Sequence, residues 1–464
     1  MPLVLGVHSS IDATIVQVRD ADDGYIVGSG RVPHPVAKSS QIEQLPADWW
    51  EALVAARREA GASPVGAVAV VAQSHGLVAL DANGAVIRAP RIGPDPDAAA
   101  DAEWLISKAG GPEGWAKACG TVPNAALAIA KLSWLRRVKP DAFNRIAHLL
   151  CPHDWMTSRL ARRYVTDRGD ASTTGYWSPR EECWQLDLLA LVDDADWAPR
   201  LPHVLGAGEP AAARDGVIVA PGTGELMAAA LALGAERGEV IIDVGTTGRV
   251  FTVSEQPTAD VSGNVAGCAD AAGGYLPVVS TGAAAAVTDA VALLLGIDPA
   301  RLDRLALDAP PGAAGVVLDP TGESSRDDGD AIGSFVGLHT GVTPEHIARA
   351  AVESVARRAL EGIEQLRSAG VTISEERVTL MGRGARSHAL QRVVADLAQV
   401  PVRVMGPQQA VIGACVQAAA MVHGVPAGEV AHAWGLSDGR ALTPDAHADA
   451  EQADDDPTEL QETA

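Results

Sequence analysis

The chain has 464 residues and a formal net charge of −23. That length is too great for a single hydrophobic core and predicts two domains. The acidic balance argues against nucleic acid or an anionic membrane surface as a main partner. Hydrophobic residues make up 47% of the chain, which fits a well-buried α/β protein rather than a disordered one. The cysteines (Cys119, Cys151, Cys183, Cys268, Cys415) form no CxxC and no Cys/His zinc spacing. A reduced, cytoplasmic protein is therefore expected. The opening residues lack the pattern of a signal peptide, and no apolar run reaches the roughly 18 residues of a membrane span.

In chain order, the first stretch is LVLGVHSSIDATIVQV, from Leu3 to Val18. It reads as strand, tight turn, strand. The hydroxyls of Ser9 and Ser10, with exposed amides, suit an anion such as phosphate. The turn opens on His8, and the following strand has no lysine; His8 reads as a turn residue or as a hydrogen-bond donor to phosphate. Trp49 to Ala60 predicts a helix, with Pro46 and Asp48 as start signals. Gly66 to Ala72 is a buried strand running into Gln73-Ser74-His75-Gly76, and a second strand follows at Leu77–Leu80. Ala125 to Val138 predicts an amphipathic helix, and Gly222 to Gly234 a loop running into a helix. Glu239 to Val253 repeats the shape of the opening hairpin, with Gly245-Thr246-Thr247 in its turn. Two such hairpins predict two domains on one plan, each turning toward a shared cleft. From about Ala441 the chain holds eight Asp/Glu and no Lys/Arg, which reads as a disordered acidic tail.

These stretches, with VAQSHGLVALDANGAVIR (71–88), PHDWMTSRL (152–160), TDRGDASTTGYW (166–177), GTGELMAAALALG (222–234), DVGTTGRVF (243–251) and MGRGARS (381–387), carry a family resemblance. The chain resembles the FGGY sugar kinases of the actin/hexokinase-like superfamily, over about residues 3–435. The resemblance implies an α/β fold of two RNase H-like domains with an interdomain cleft. Residues 1–220 would bind sugar, 221–440 nucleotide, and 441–464 would form the tail. It implies ATP-dependent phosphorylation of a small ketose or polyol of the D-xylulose type, with ATP and Mg²⁺, and closure that expels water. The expected partners are a small sugar and a nucleotide, without nucleic acid or membrane; a homodimer is left open.

Carried over residue by residue, the resemblance implies a catalytic role for Glu225, at the position of the family's aspartate. Ser74, His75 and Asp95 would contact substrate. Ser9, Ser10, Gly245, Thr246, Thr247, Gly382 and Gly384 would line phosphate or nucleotide. No residue is assigned as a metal ligand. Read without the resemblance, Glu225 is equally a helix-start carboxylate favoured by the dipole. The chain departs from the family pattern at His8 (an aspartate there), Ile11 (threonine), Ile15 (often lysine), Leu226 (asparagine), Pro94 and Asp97 (asparagine and arginine), and Arg383 (glycine); Arg249 is also unusual. A second reading follows from these losses: an inactive pseudokinase that binds sugar, nucleotide or a protein partner. A third is a kinase whose substrate is no longer xylulose, since the 91–97 loop is rebuilt.

Overall fold

A computed structural model of the chain describes residues 2–35, 43–61, 63–319, 333–406 and 408–444. The first half builds strands β1 (Leu3–Ser9), β2 (Ala13–Asp20) and β3 (Ile26–Pro33), helix α1 (Pro46–Glu59), and strands β4 (Ala67–Ala72) and β5 (Val78–Leu80). Helix α2 (Ala128–Val138), strand β6 (His148–Leu150), helix α3 (Pro152–Ala161), strand β7 (Val165–Asp167) and the short helix α4 (Arg168–Ser172) follow. Strands β8 (Ala212–Arg214), β9 (Val217–Val219) and β10 (Thr223–Gly224) lead into helix α5 (Glu225–Leu233). The second half holds β11 (Val240–Val244), β12 (Thr247–Phe251), β13 (Val265–Ala269), β14 (Tyr275–Ala283) and α6 (Ala285–Leu295). Then come α7 (Pro344–Ser368), β15 (Val378–Met381), α8 (His388–Ala398), β16 (Val402–Val404), α9 (Gln409–His423) and β17 (Arg440–Leu442).

Each half is centred on a 7-stranded sheet. The first runs β8-β9-β4-β1-β2-β3, with β10 also paired to β4; the second runs β13-β14-β12-β11-β15-β16-β17. In each, a central strand forms an antiparallel hairpin with its successor (β1–β2, β11–β12) and a parallel ladder with a later strand (β1–β4, β11–β15). The repeated hairpin seen in the sequence is thus the start of a repeated sheet.

Burial explains why these residues form these elements. Strands β4 and β11 are buried on both faces and apolar except for Asp243, as strands covered by helices must be. Trp49 of α1 and Trp155 of α3 meet edge to face at 6.3 Å in the core of the first half. In the second, Ile242, Val250 and Leu380 pack beneath Val352 and Val355 of the long helix α7. Helix α9 returns from the end of the chain to lie on β1, β4 and α5. Its small residues permit close approach: a Cβ on Gly413 would overlap the carbonyl of Ala228 in α5, and one on Gly6 of β1 would overlap Cys415.

The sequence boundaries move slightly. The first helix begins at Pro46, the helix expected from Ala125 begins at Ala128, and the strand expected from Leu77 begins at Val78. Ala441 and Leu442, read as the head of the tail, instead complete an edge strand, Arg440–Leu442, paired with β16; residues 445–464, and residues 320–332 of the altered loop at 318–338, lie outside the described residues. Among the described residues no single helix is long and apolar enough to cross a membrane, and all the cysteines are free.

Candidate active site

Three strands of the first sheet end together. His8 and Thr223 both pair with Val71, and Ser9 and Gly224 both pair with Ala72. Glu225 follows as the first residue of α5, where the helix dipole favours a carboxylate. Gly224 is required before it, because a Cβ there would lie 2.6 Å from Oδ1 of Asp170 and 2.9 Å from Oγ of Ser74. The Glu225 carboxylate is half-buried and its Oε1 lies 2.7 Å from Nε2 of His8. Burial pushes the Glu225 carboxyl up, but the hydrogen bond and charge of His8, with Arg249 and His75, outweigh it and hold the group below its ordinary value. His8 is therefore the partner of Glu225 rather than a plain turn residue.

The β11–β12 hairpin contributes the other wall. Thr246 and Thr247 at its turn are exposed, and Gly245 is half-buried. Asp243, buried at the end of β11, sits 3.6 Å from Nη1 of Arg249. Burial, opposed by Arg249 and reinforced by the charge of Glu225, pushes the Asp243 carboxyl up to about 6. Gly382 turns at φ +87° after β15, where a Cβ would meet Oδ1 of Asp243 at 2.5 Å; a Cβ on Gly384 would overlap Val244. These glycines let the turn close over the end of β11. Arg383 does not fill that space, since its Nη2 is held 2.6 Å from Oδ2 of Asp289 on α6.

On the other side, Ser74 Oγ donates to Oδ1 of Asp170 at 3.4 Å. His75 adopts a left-handed backbone, φ +64°, costly for a residue with a Cβ. Its carbonyl accepts from the ammonium of Lys131, which also donates to the carbonyls of Arg91 at 3.1 Å and Gly93 at 2.6 Å. Burial, then the charges of Lys131 and Arg249, push the His75 imidazole down to about 3 despite Glu225. Burial likewise pushes Lys131 down to about 8, with Asp95 opposing. Lys131 is a positioning residue that sequence reasoning missed; the signal was a lone lysine inside the apolar run AIAKLSWL.

Two expectations need correction. Asp95 does not project freely toward substrate: it is buried, and its Oδ1 accepts from Nη1 of Arg91 at 2.7 Å. The same Arg91 atom reaches Oδ2 of Asp97 at 2.6 Å, so a cation absent from position 97 is supplied from position 91 to tie the loop to itself. Ser9 is fully buried, its hydroxyl accepting from Thr14 at 3.4 Å. Both faces of β1 are covered, so the side chain turns inward instead of meeting an anion. Ser10 uses its hydroxyl to close the turn, donating to the Ala13 carbonyl at 3.0 Å and accepting from the Asp12 and Ala13 amides.

Beneath Ser74 and Gly224 lies a buried ionic cluster that the sequence did not announce. His153 Nδ1 donates to Oδ2 of Asp170 at 2.6 Å, and its Nε2 faces Asp154 at 3.1 Å and Asp167 at 3.7 Å. Thr223 donates to Asp167 at 2.6 Å, and Asp167 caps α4. Burial alone lowers an imidazole, yet the carboxylates of Asp154, Asp170 and Asp167 raise His153 to about 10. The cluster fixes Asp170 and, through the Thr223–Asp167 bond, the strand end that carries Glu225.

The hairpin turn, with exposed hydroxyls beside glycines, fits nucleotide phosphate oxygens. The fit to magnesium is poor. That ion takes oxygen ligands in near-octahedral geometry, the first turn presents an imidazole already bonded to Glu225, and among the described residues no group of three or more His, Cys, Asp or Glu is placed to hold a metal.

Comparison with known proteins agrees with this architecture. Residues 13–220 match the N-terminal domain, and residues 240–422 the C-terminal domain, of the FGGY family of carbohydrate kinases. The chain is 36% identical over 457 residues to the xylulose kinases of Streptomyces coelicolor and Streptomyces rubiginosus, covering 95% of this chain and 92% of each relative. Among solved structures, the xylulose kinase from Bifidobacterium adolescentis superposes with a TM-score of 0.80 at 31% identity, covering 94% of this chain and 99% of that one. A kinase structure from Brucella ovis gives a TM-score of 0.86 at 23% identity, covering 96% of this chain and 95% of that one, and shares the fold. With both family domains matched in order across two sheets of one plan, the chain belongs to the FGGY family of carbohydrate kinases.

Proposed function

We propose that this protein transfers the γ-phosphoryl group of ATP to a hydroxyl of a small ketose, with D-xylulose the first candidate. The observation that carries the reading is the Glu225 carboxylate, kept ionised at the ends of β1, β4 and β10 with Arg249 and Asp243 of the opposite hairpin within electrostatic reach. In this reading Glu225 takes the proton of the attacking sugar hydroxyl. The hydroxyl oxygen bonds to the γ-phosphorus as the bond to the β-phosphate oxygen breaks, and ADP leaves with that electron pair. Gly245, Thr246 and Thr247 hold phosphate oxygens by amides and hydroxyls, while Gly382 and Gly384 let their turn close over β11 on the nucleotide side. His75, neutral at working pH, hydrogen-bonds a sugar hydroxyl beside Ser74. The matched relatives named xylulose kinase support the substrate; the Arg91–Asp95–Asp97 clamp is the reason to test others. Nothing in the comparisons favours the pseudokinase alternative.

The test is ADP release with Mg-ATP over a panel of pentuloses, hexuloses and polyols. D-Xylulose is expected to give the highest kcat/KM, and Glu225→Gln to lower kcat by about 10²–10⁴-fold. Turnover on no sugar above the level of Glu225→Gln overturns the reading. A rise in melting temperature with ATP under those conditions leaves the binding protein of the second reading.

A further inference from the structure

The geometry points to His8 as a positioning residue for Glu225: an imidazole–carboxylate dyad that fixes the acid's rotamer and aims one of its oxygens at the cleft. The inference rests on the reading of Glu225 as the base. The two residues are 217 positions apart and approach from separate strand ends, with β4 between them, to an Nε2–Oε1 distance of 2.7 Å. A carboxylate accepts, so Nε2 carries the proton. Nδ1 is buried without a hydrogen-bond partner among the described residues. Oε1 is committed to His8, which leaves Oε2 to receive the sugar proton. A free glutamate rotates about three side-chain bonds, and a displacement of about 1 Å in a reacting group costs about 10²-fold in rate. His8 supplies the restraint.

The groups that face the Glu225 carboxylate are His8 from β1, His75 after β4, Arg249 from β12 and Asp243 from β11. Of these only His8 hydrogen-bonds it. Removing the imidazole therefore lets the acid protonate at higher pH, while Arg249 and His75 stay.

The test joins kinetics to a spectroscopic reading of the unliganded protein. His8→Ala is expected to lower kcat about 10²-fold, to leave the sugar KM within a few fold, and to move the acid limb of kcat/KM to higher pH. His8→Gln, whose amide nitrogen reaches nearly as far as Nε2, is expected to recover most of kcat. By ¹⁵N NMR, His8 in the wild type is expected to carry a proton on Nε2, with a signal that shifts in Glu225→Gln. A wild-type kcat and acid limb in His8→Ala, with Glu225→Gln still inactive, overturns the dyad and spares the base. Full activity in Glu225→Gln overturns both. A His8 with no proton on Nε2, or a signal indifferent to Glu225→Gln, overturns the dyad without reference to turnover.

Discussion

Lys131 carries an ammonium into the buried part of its helix, and three backbone carbonyls surround it there. Those carbonyls belong to His75, Arg91 and Gly93, so one side chain fixes both the strained backbone of His75 and the loop that follows β5. Lys131→Met keeps the bulk and removes the donor. Leaving buried carbonyls without a donor costs about 1–3 kcal/mol for each such group, so urea unfolding is expected to show a loss of about 3 kcal/mol or more. In the folded fraction the sugar KM is expected to rise more than kcat falls. His75 itself gives a pH prediction. Its folded value of about 3 lies below the ordinary imidazole value of 6.5, so the unfolded chain binds the extra proton between these limits. The contribution is complete above pH 6.5 and is lost as pH falls toward 3. Unfolding free energies taken from pH 7 to pH 4 are expected to fall less steeply in His75→Asn, by up to about 1.4 kcal/mol per pH unit. At this scale the sequence was legible for what a residue could be, and less so for where it points. Ser9 was misread because a strand covered on both faces has no alternating pattern to say which way a side chain turns. Asp95 was visible as an acid, but its partner Arg91 depends on how the loop folds back.

Elements were easier to read, because hairpins and helix starts are local. The opening hairpin, its echo at 239–253 and the start of α5 at Glu225 followed from spacing and turn residues. The strand order was not read from the sequence; the resemblance implied only two RNase H-like domains. The crossing of α5 and α9 was hidden altogether, since it joins segments more than 170 residues apart and is written in small residues that any helix tolerates. Gly413 is the point of contact. Gly413→Ala forces a methyl group against the Ala228 carbonyl and is expected to destabilise by about 1–3 kcal/mol, the usual range for overpacking. Gly428→Ala, where a Cβ meets nothing within 4 Å, is the matched control and is expected to leave the melting temperature unchanged. The ionic cluster belongs to this scale too, tying α3, β7 and α4 together. His153→Leu leaves three buried carboxylates without their cation, and a loss of about 3–5 kcal/mol is expected in the same unfolding measurement.

The whole molecule is two sheets of one design, but its helices do not respect a division at residue 220. The helix that covers β1 and β4 is α9, at the far end of the second half. A chain stopped at residue 406 would lack that cover and is expected to show no cooperative unfolding transition, in contrast to the one expected of the full chain. The same feature sets a timetable for biosynthesis. β1 ends at Ser9 and α9 begins at Gln409, so 400 residues are added between the two. At about 5–20 residues per second the ribosome needs roughly 20–80 s to make them. Throughout that interval the face built by Val4, Ala69 and Val71 waits bare on a nascent chain, and synthesis of residues 409–423 is the step that covers it.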